Sequence, residues 1–243
     1  MRHVTRMTIE DAEHYTPEQR AAIIASYPPH EREARTLGIP SLGSGRVFPV
    51  SEESIRCEAV PIAEHWAQIG GLDFGIDHPF AAVSLAWDRD ADVIYVTRTY
   101  RIRDATPIIH AAALRPWGAW LPWAWPHDGL NRDKGSGDAL ASQYRAQGLN
   151  MLPERATHAD GGSGVEAGVT EMLDRMLTGR LKVFANLLDW FGEFRLYHRK
   201  DGLIVKEADD LMSASRYAVM MLRFAKTKPR PASAPARQWS ALS

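Results

Sequence analysis

Three apolar runs at short spacing, Ala67 to Phe74, Ala81 to Trp87 and Val93 to Tyr100, constrain this chain more than anything else in it. Each has the length of a strand, and Asp88-Arg89-Asp90-Ala91-Asp92 makes a tight turn between the second and third. Strands joined this closely pair antiparallel. Beyond them the pattern alternates. A helix capped by Asp104 runs through Leu114, a strand covers Trp120 to Trp125, and an amphipathic helix runs from Ser136 to Gln147, stopped by Gly148. A short strand, Leu149 to Leu152, precedes helices over 165–177 and 186–199, and a strong helix is expected from Asp209 to Lys226. Three antiparallel strands followed by this alternation predict an α/β fold, a mixed sheet flanked by helices. A length of 243 residues with 45% hydrophobic content is enough for one sizeable core.

Residues 1–60 read as an irregular appendage to a domain over 61–226. Thr16 as N-cap with Pro17 behind it predicts a short helix to Ser26, stopped by Pro28-Pro29. A loop follows over 38–46, and Val47 to Val50 is expected as an edge strand. The tail over 227–243, rich in Pro, Ala, Ser and Arg, is expected to be disordered. The single cysteine, Cys57, excludes an internal disulfide and a cysteine-based zinc site, and fits a reducing, cytoplasmic compartment. No apolar stretch approaches the roughly 20 residues that cross a bilayer, so no membrane partner is expected.

The net charge of −1 means that any surface for nucleic acid must be local. Residues 174–206 carry seven basic side chains against four acidic ones. Among them Arg195, Arg199, Lys200 and Lys206 are candidates to track a DNA backbone. A solvated helix face is the commoner explanation of such a run. The crowded tryptophans Trp117, Trp120, Trp123 and Trp125 read as core or helix-docking surface rather than a stacking platform.

The first strand ends on a carboxylate, Asp73, inside Ile69-Gly70-Gly71-Leu72-Asp73-Phe74-Gly75. A buried charge there needs a cationic partner. Asp128 follows the expected strand at Trp120 to Trp125, and Asp209-Asp210 heads the last helix. Three separated carboxylates converging on one strand edge make a site for hard divalent cations, Mg²⁺ or Mn²⁺, held as a pair by a phosphodiester-cleaving enzyme. Gly71 and Gly75 are expected to leave room for phosphate or backbone. Residues 209 and 210 point about 100° apart, so one is expected to cap the helix and the other, Asp210, to bind metal above Ser213 and Tyr217. Asp77, His78 and His127 are candidates for supporting contacts, although Asp77-His78-Pro79 also reads as a plain hairpin turn. Alone, Asp128 reads as a turn residue; only the three positions together point to metal. No phosphate-binding P-loop, HExxH or GxSxG pattern is present.

Together, Gly71-Leu72-Asp73-Phe74-Gly75-Ile76-Asp77-His78-Pro79, the His127-Asp128-Gly129 turn and Asp209-Asp210-Leu211-Met212-Ser213-Ala214-Ser215-Arg216-Tyr217-Ala218 resemble the C-terminal nuclease domain of tailed-phage (headful-packaging type) terminase large subunits. The resemblance runs from about Tyr27 to Lys226, with Tyr27 to Arg35 and Gly43 to Pro49 similar to the family's link between ATPase and nuclease. It implies an RNase H-like fold and a divalent-metal endonuclease that cuts concatemeric double-stranded viral DNA in the host cytoplasm. Asp73, Asp128 and Asp209 or Asp210 would be its catalytic and metal-binding acids. The implied partners are double-stranded DNA, a terminase ATPase domain or subunit, the portal and the small terminase subunit. Ser213 departs from the family's pattern, since many members carry Asp there, and the ATPase half is absent. The chain is therefore expected to be a separate nuclease, a prophage remnant or a fragment. Two alternatives remain: an inactive packaging subunit that docks other components, and an actin-like nucleotide-binding protein, which also starts from an Asp-x-Gly turn.

Overall fold

A computed structural model describes residues 8–12, 14–27, 36, 45–75, 78–132 and 137–229. Its centre is the expected antiparallel meander. Strand β2 (Ala67–Asp73) pairs with β3 (Phe80–Asp88), and β3 pairs with β4 (Val93–Ile102). Two parallel additions extend the sheet on each side. Strands β5 (Pro122–Ala124) and β6 (Asn150–Met151) lie beyond β2, while β7 (Leu181–Phe184) and β1 (Arg56–Cys57) lie beyond β4. The order is β1-β7-β4-β3-β2-β5-β6, with β10 (Lys226–Thr227) added antiparallel to the start of β2. The sheet is mixed, as the strand pattern predicts. A separate two-stranded ribbon joins β8 (Arg199–Lys200) to β9 (Leu203–Ile204).

Helices cover both faces. On one lie α5 (Val165–Leu177), α6 (Leu188–Leu196) and α7 (Asp210–Met220), with α7 packed across β2, β3 and β4. On the other, α3 (Pro107–Leu114) and α4 (Leu140–Ala146) bring His110 and Tyr144 onto Phe74 and Phe80. Helix α7 is buried on nearly every side, and only Tyr217 is partly exposed among its residues. An element buried all round is held by packing rather than by an amphipathic stripe. Gly71 explains how α7 comes so close. A Cβ there would lie 2.1 Å from the carbonyl oxygen of Ala214 and 2.9 Å from Cβ of Ala218. Of the two expected occupants, phosphate or backbone, the glycine admits the helix backbone.

Other expectations need correcting. Val47 to Val50 is not a strand: only an isolated bridge joins Arg46 to His198, and Val47 N–H donates to the Tyr197 carbonyl at 3.0 Å. The segment is held instead by its side chains, with Val47, Phe48 and Val50 buried and the Phe48 ring stacked on Phe194 at 6.1 Å. Short helix α2 (Glu52–Ile55) and β1 then join the core, so the packed unit starts inside the stretch read as appendage. Helix α1 (Pro17–Ser26) forms where Thr16-Pro17 predicts it, and buries no residue. The last helix stops at Met220, earlier than expected, and a 3₁₀ turn over Leu222–Phe224 leads into β10. Thr227, read as the start of the tail, lies in that strand; residues 230–243 and the expected stop at Pro28-Pro29 lie outside the described residues. Among the described residues no helix is long and apolar enough to cross a membrane.

Candidate metal centre

The register of the meander places Asp73 opposite Ala81, at the last pair of β2 and β3. Side chains alternate along a strand. Asp73 therefore shares the face of Gly71 and looks toward α7. Its neighbour Gly75 makes a turn so tight that a Cβ there would sit 1.9 Å from the His78 carbonyl oxygen. That turn returns the chain at His78, whose Nδ1 lies 2.9 Å from Oδ1 of Asp210. Ligand atoms of Asp73, His78 and Asp210 all lie within 4.8 Å of one another. Asp210, far from β2 in sequence, thus meets Asp73 and His78 at its end.

Asp209, Asp128, Ser213, Arg216 and Tyr217 line the same cavity, of about 540 Å³. Asp128 reaches it from a 3₁₀ turn (His127–Leu130) after β5, the strand parallel to β2. It stands outside the close group formed by Asp73, His78 and Asp210, as does Asp209. His127 is exposed beside Asp128. Asp77 lies outside the described residues. Ser213 Oγ donates to Oδ2 of Asp209 at 3.5 Å, a long bond.

Neither aspartate caps α7. Asp209 occupies the N-cap position without a capping bond from its side chain. The cap comes from another helix: Oε2 of Glu193, on α6, accepts from the N–H of Leu211 at 2.6 Å and of Met212 at 3.4 Å. Sequence spacing cannot reveal a cap supplied from 18 residues away in the chain. Arg101, on β4, ties this arrangement together. It lies 3.1 Å from Oδ2 of Asp210 through both Nε and Nη2, and 3.1 Å from Oε1 of Glu193. The contact with Oε1 is an ion pair without hydrogen-bond alignment, and that oxygen has no hydrogen-bond partner among the described residues. Sequence reasoning missed Arg101 and Glu193, and also Arg103, which lines the cavity. The one sequence signal is the placement of Arg101 near the end of β4, which β3 separates from the strand that carries Asp73.

So many acids in one cavity shift one another. Burial pushes the Asp73 carboxyl up to about 7, and the charges of Asp209 and Asp210 add to the rise, against opposing pulls from His78 and Arg216. Burial also raises Glu193 to about 7, opposed by the Leu211 N–H and Arg101. Asp209 is raised by burial and by Asp210. Burial works against a charged His78, but Asp73 and Asp210 outweigh it and its affinity for a proton rises. Arg216 is buried, its Nε has no partner, and its guanidinium lies 4.4 Å from the centre of the Tyr217 ring. A set of buried carboxylates that resist ionisation, with an imidazole nitrogen among them, is a donor set that fits a divalent cation.

Of the basic candidates, Arg195 is committed to Glu52, which it contacts through Nε and, at 3.0 Å, through Nη2. Arg199 pairs with Glu166 at 2.5 and 2.7 Å. Lys200 is exposed on the β8–β9 ribbon, and Lys206 is exposed and lines the cavity, as does Arg103.

Comparison with known proteins assigns this architecture. The family profile described as "Terminase RNaseH-like domain" matches residues 70–222. The profile "Terminase large subunit, T4likevirus-type, N-terminal" matches residues 1–55. The terminase large subunit of Salmonella phage P22 is 50% identical over 224 residues, 92% of this chain and 45% of that protein. The chain belongs to the terminase large-subunit family. It spans about half the length of the curated relative it matches. The solved P22 large terminase nuclease domain superposes with a TM-score of 0.71 at 45% identity, covering 76% of this chain and 95% of that one. The SPP1 large-terminase nuclease domain, solved with bound Mn, shares the fold at a TM-score of 0.51 and 17% identity, over 69% of this chain and 94% of that one. The sheet is thus the RNase H-like sheet of terminase nuclease domains, and all three acidic positions fall within the matched span.

Proposed function

We propose that this chain is the divalent-metal-dependent endonuclease of a viral genome-packaging terminase, cutting double-stranded DNA at the acid cavity. The observation that carries the reading is the meeting of Asp73, His78 and Asp210 within 4.8 Å at the end of β2. Asp73, Asp210, Asp128 and Asp209 would hold two Mg²⁺ or Mn²⁺ ions. When bound, such ions supply an activated water and stabilise the charge that develops on the leaving oxygen.

The chain's own residues supply the rest. Arg101 fixes Asp210 through two nitrogens, so one carboxylate edge stays directed into the cavity. Glu193 holds the first turn of α7, on which Asp210 and Ser213 stand. Lys206 and Arg103, exposed at the cavity, are placed to attract the phosphate backbone. The proposal extends to ATPase, portal and small-subunit partners and a host-cytoplasmic setting, and the likeness to a phage terminase large subunit supports it.

Incubating the purified chain with plasmid DNA and Mn²⁺ tests the proposal. Cleavage should depend on the metal and vanish in Asp73→Asn with the fold intact by circular dichroism. Undiminished cutting by that variant removes the assignment. A wild-type chain inert under all divalent ions favours a docking subunit instead.

A further inference from the structure

His78 is more than a neighbour of the acids. Its Nδ1 stands 2.9 Å from Oδ1 of Asp210, and the ligand atoms of Asp73, His78 and Asp210 are all within 4.8 Å. An octahedral ion with bonds of about 2.1 Å requires adjacent donors about 3.0 Å apart and opposite donors about 4.2 Å apart. His78 and Asp210 already stand at the adjacent spacing, and Asp73 lies within 4.8 Å of both. The other Asp210 oxygen, Oδ2, is held by Arg101, so Oδ1, which meets His78, is the oxygen that an ion between the two side chains would take. The imidazole is 53% exposed, open to an incoming hydrated ion. The chain after His78 is held by the buried Pro79, and the His78 carbonyl oxygen packs against Gly75.

We propose that His78 ligates the divalent ion directly, beside Asp73 and Asp210, and that this nitrogen donor biases the site toward manganese-type ions over magnesium. The inference rests on the metal-centre reading above. Mg²⁺ favours an all-oxygen shell and gives up water reluctantly, whereas imidazole suits later divalent ions and is accepted by Mn²⁺. A site built from carboxylates alone has less of this bias. The side chain that distinguishes the two cases is the one at position 78.

The test uses the full chain with Mn²⁺ or Mg²⁺ alone, and the variants His78→Asn, His78→Ala and Asp73→Asn. Pulsed electron paramagnetic resonance of the Mn²⁺ complex should show coupling to a directly bonded ¹⁴N, absent in both His78 variants. By calorimetry those variants should lose about tenfold or more in Mn²⁺ affinity, while Mg²⁺ affinity changes less than about threefold. A wild-type Mn²⁺ complex without bonded nitrogen, or His78 variants that bind Mn²⁺ as the wild type does, overturns the role of His78 and leaves the acid site standing. Asp73→Asn binding Mn²⁺ as tightly as the wild type, or a wild type that binds none, overturns the acid site and this proposal with it.

Discussion

Replacing Asp73 by asparagine should make the metal-free protein more stable at pH 8, although it removes the residue on which the site depends. The folded chain raises the Asp73 carboxyl from 3.8 to about 7, chiefly by burial. A group held above its unfolded value favours folding only while it stays protonated. Its contribution is complete below about pH 4, fades as pH rises, and is gone once pH passes about 7. Three pKa units at about 1.4 kcal/mol each set a ceiling of about 4 kcal/mol on the penalty of an ionised Asp73. Asp209 and Asp210 carry part of the mutual repulsion, and water admitted to the cavity relieves more. About 2 kcal/mol is therefore the expected gain, or roughly 4–8 °C in melting temperature for a domain of this size. Thermal melts in chelator should show Asp73→Asn above the wild type at pH 8 and nearly level with it at about pH 3.5. Added Mn²⁺ should then raise the wild type and leave the variant nearly unmoved. A variant that melts below the wild type at pH 8, or that gains as much from Mn²⁺, refutes the reasoning.

Other perturbations separate packing from chemistry. Glu193→Ala removes the cap of α7 and the partner of Arg101, and should cost about 2 kcal/mol in denaturant unfolding; Glu193→Gln, which keeps an acceptor, should cost less than half of that. Gly71→Ala places a methyl 2.1 Å from the Ala214 carbonyl oxygen and should destabilise by roughly 1–3 kcal/mol or prevent soluble expression; wild-type stability in that variant would contradict the close approach of α7. Charge removal at Lys206 and Arg103 together should lower the slope of log affinity against log salt for DNA by about 2 in an Asp73→Asn background, and an unchanged slope would place the DNA elsewhere.

The sheet's centre was legible because its signals are local. Each strand of the meander is a contiguous apolar run, and the turn at Asp88–Asp92 is written in consecutive residues. Strands β7 and β1 were missed because four and two residues carry too little pattern, and their pairing is parallel and distant. The β8–β9 ribbon did have a signal that the reading passed over. Asp201-Gly202, with φ of 52° and 80°, is the two-residue hairpin turn its sequence favours. Val47 to Val50 misled for the opposite reason: apolar residues next to a proline look like an edge strand whether they pair or simply pack. At the site, Asp73 stood out because a carboxylate interrupts an apolar run, and Asp210 because it heads an apolar helix. Arg101 and Glu193 did not, since charged residues on a strand end and a helix look ordinary until their partners are known. His78 was legible only as a turn neighbour, because its distance to Asp210 spans 132 residues of sequence.

The burial of α7 on almost every side has a kinetic meaning. Its amides should exchange with deuterated solvent only when the whole domain opens, placing the base of the acid cavity in the slowest-exchanging unit of the protein. Asp210 is then carried by a part that does not breathe, and adjustment to an arriving strand falls to the half-exposed side chains around it.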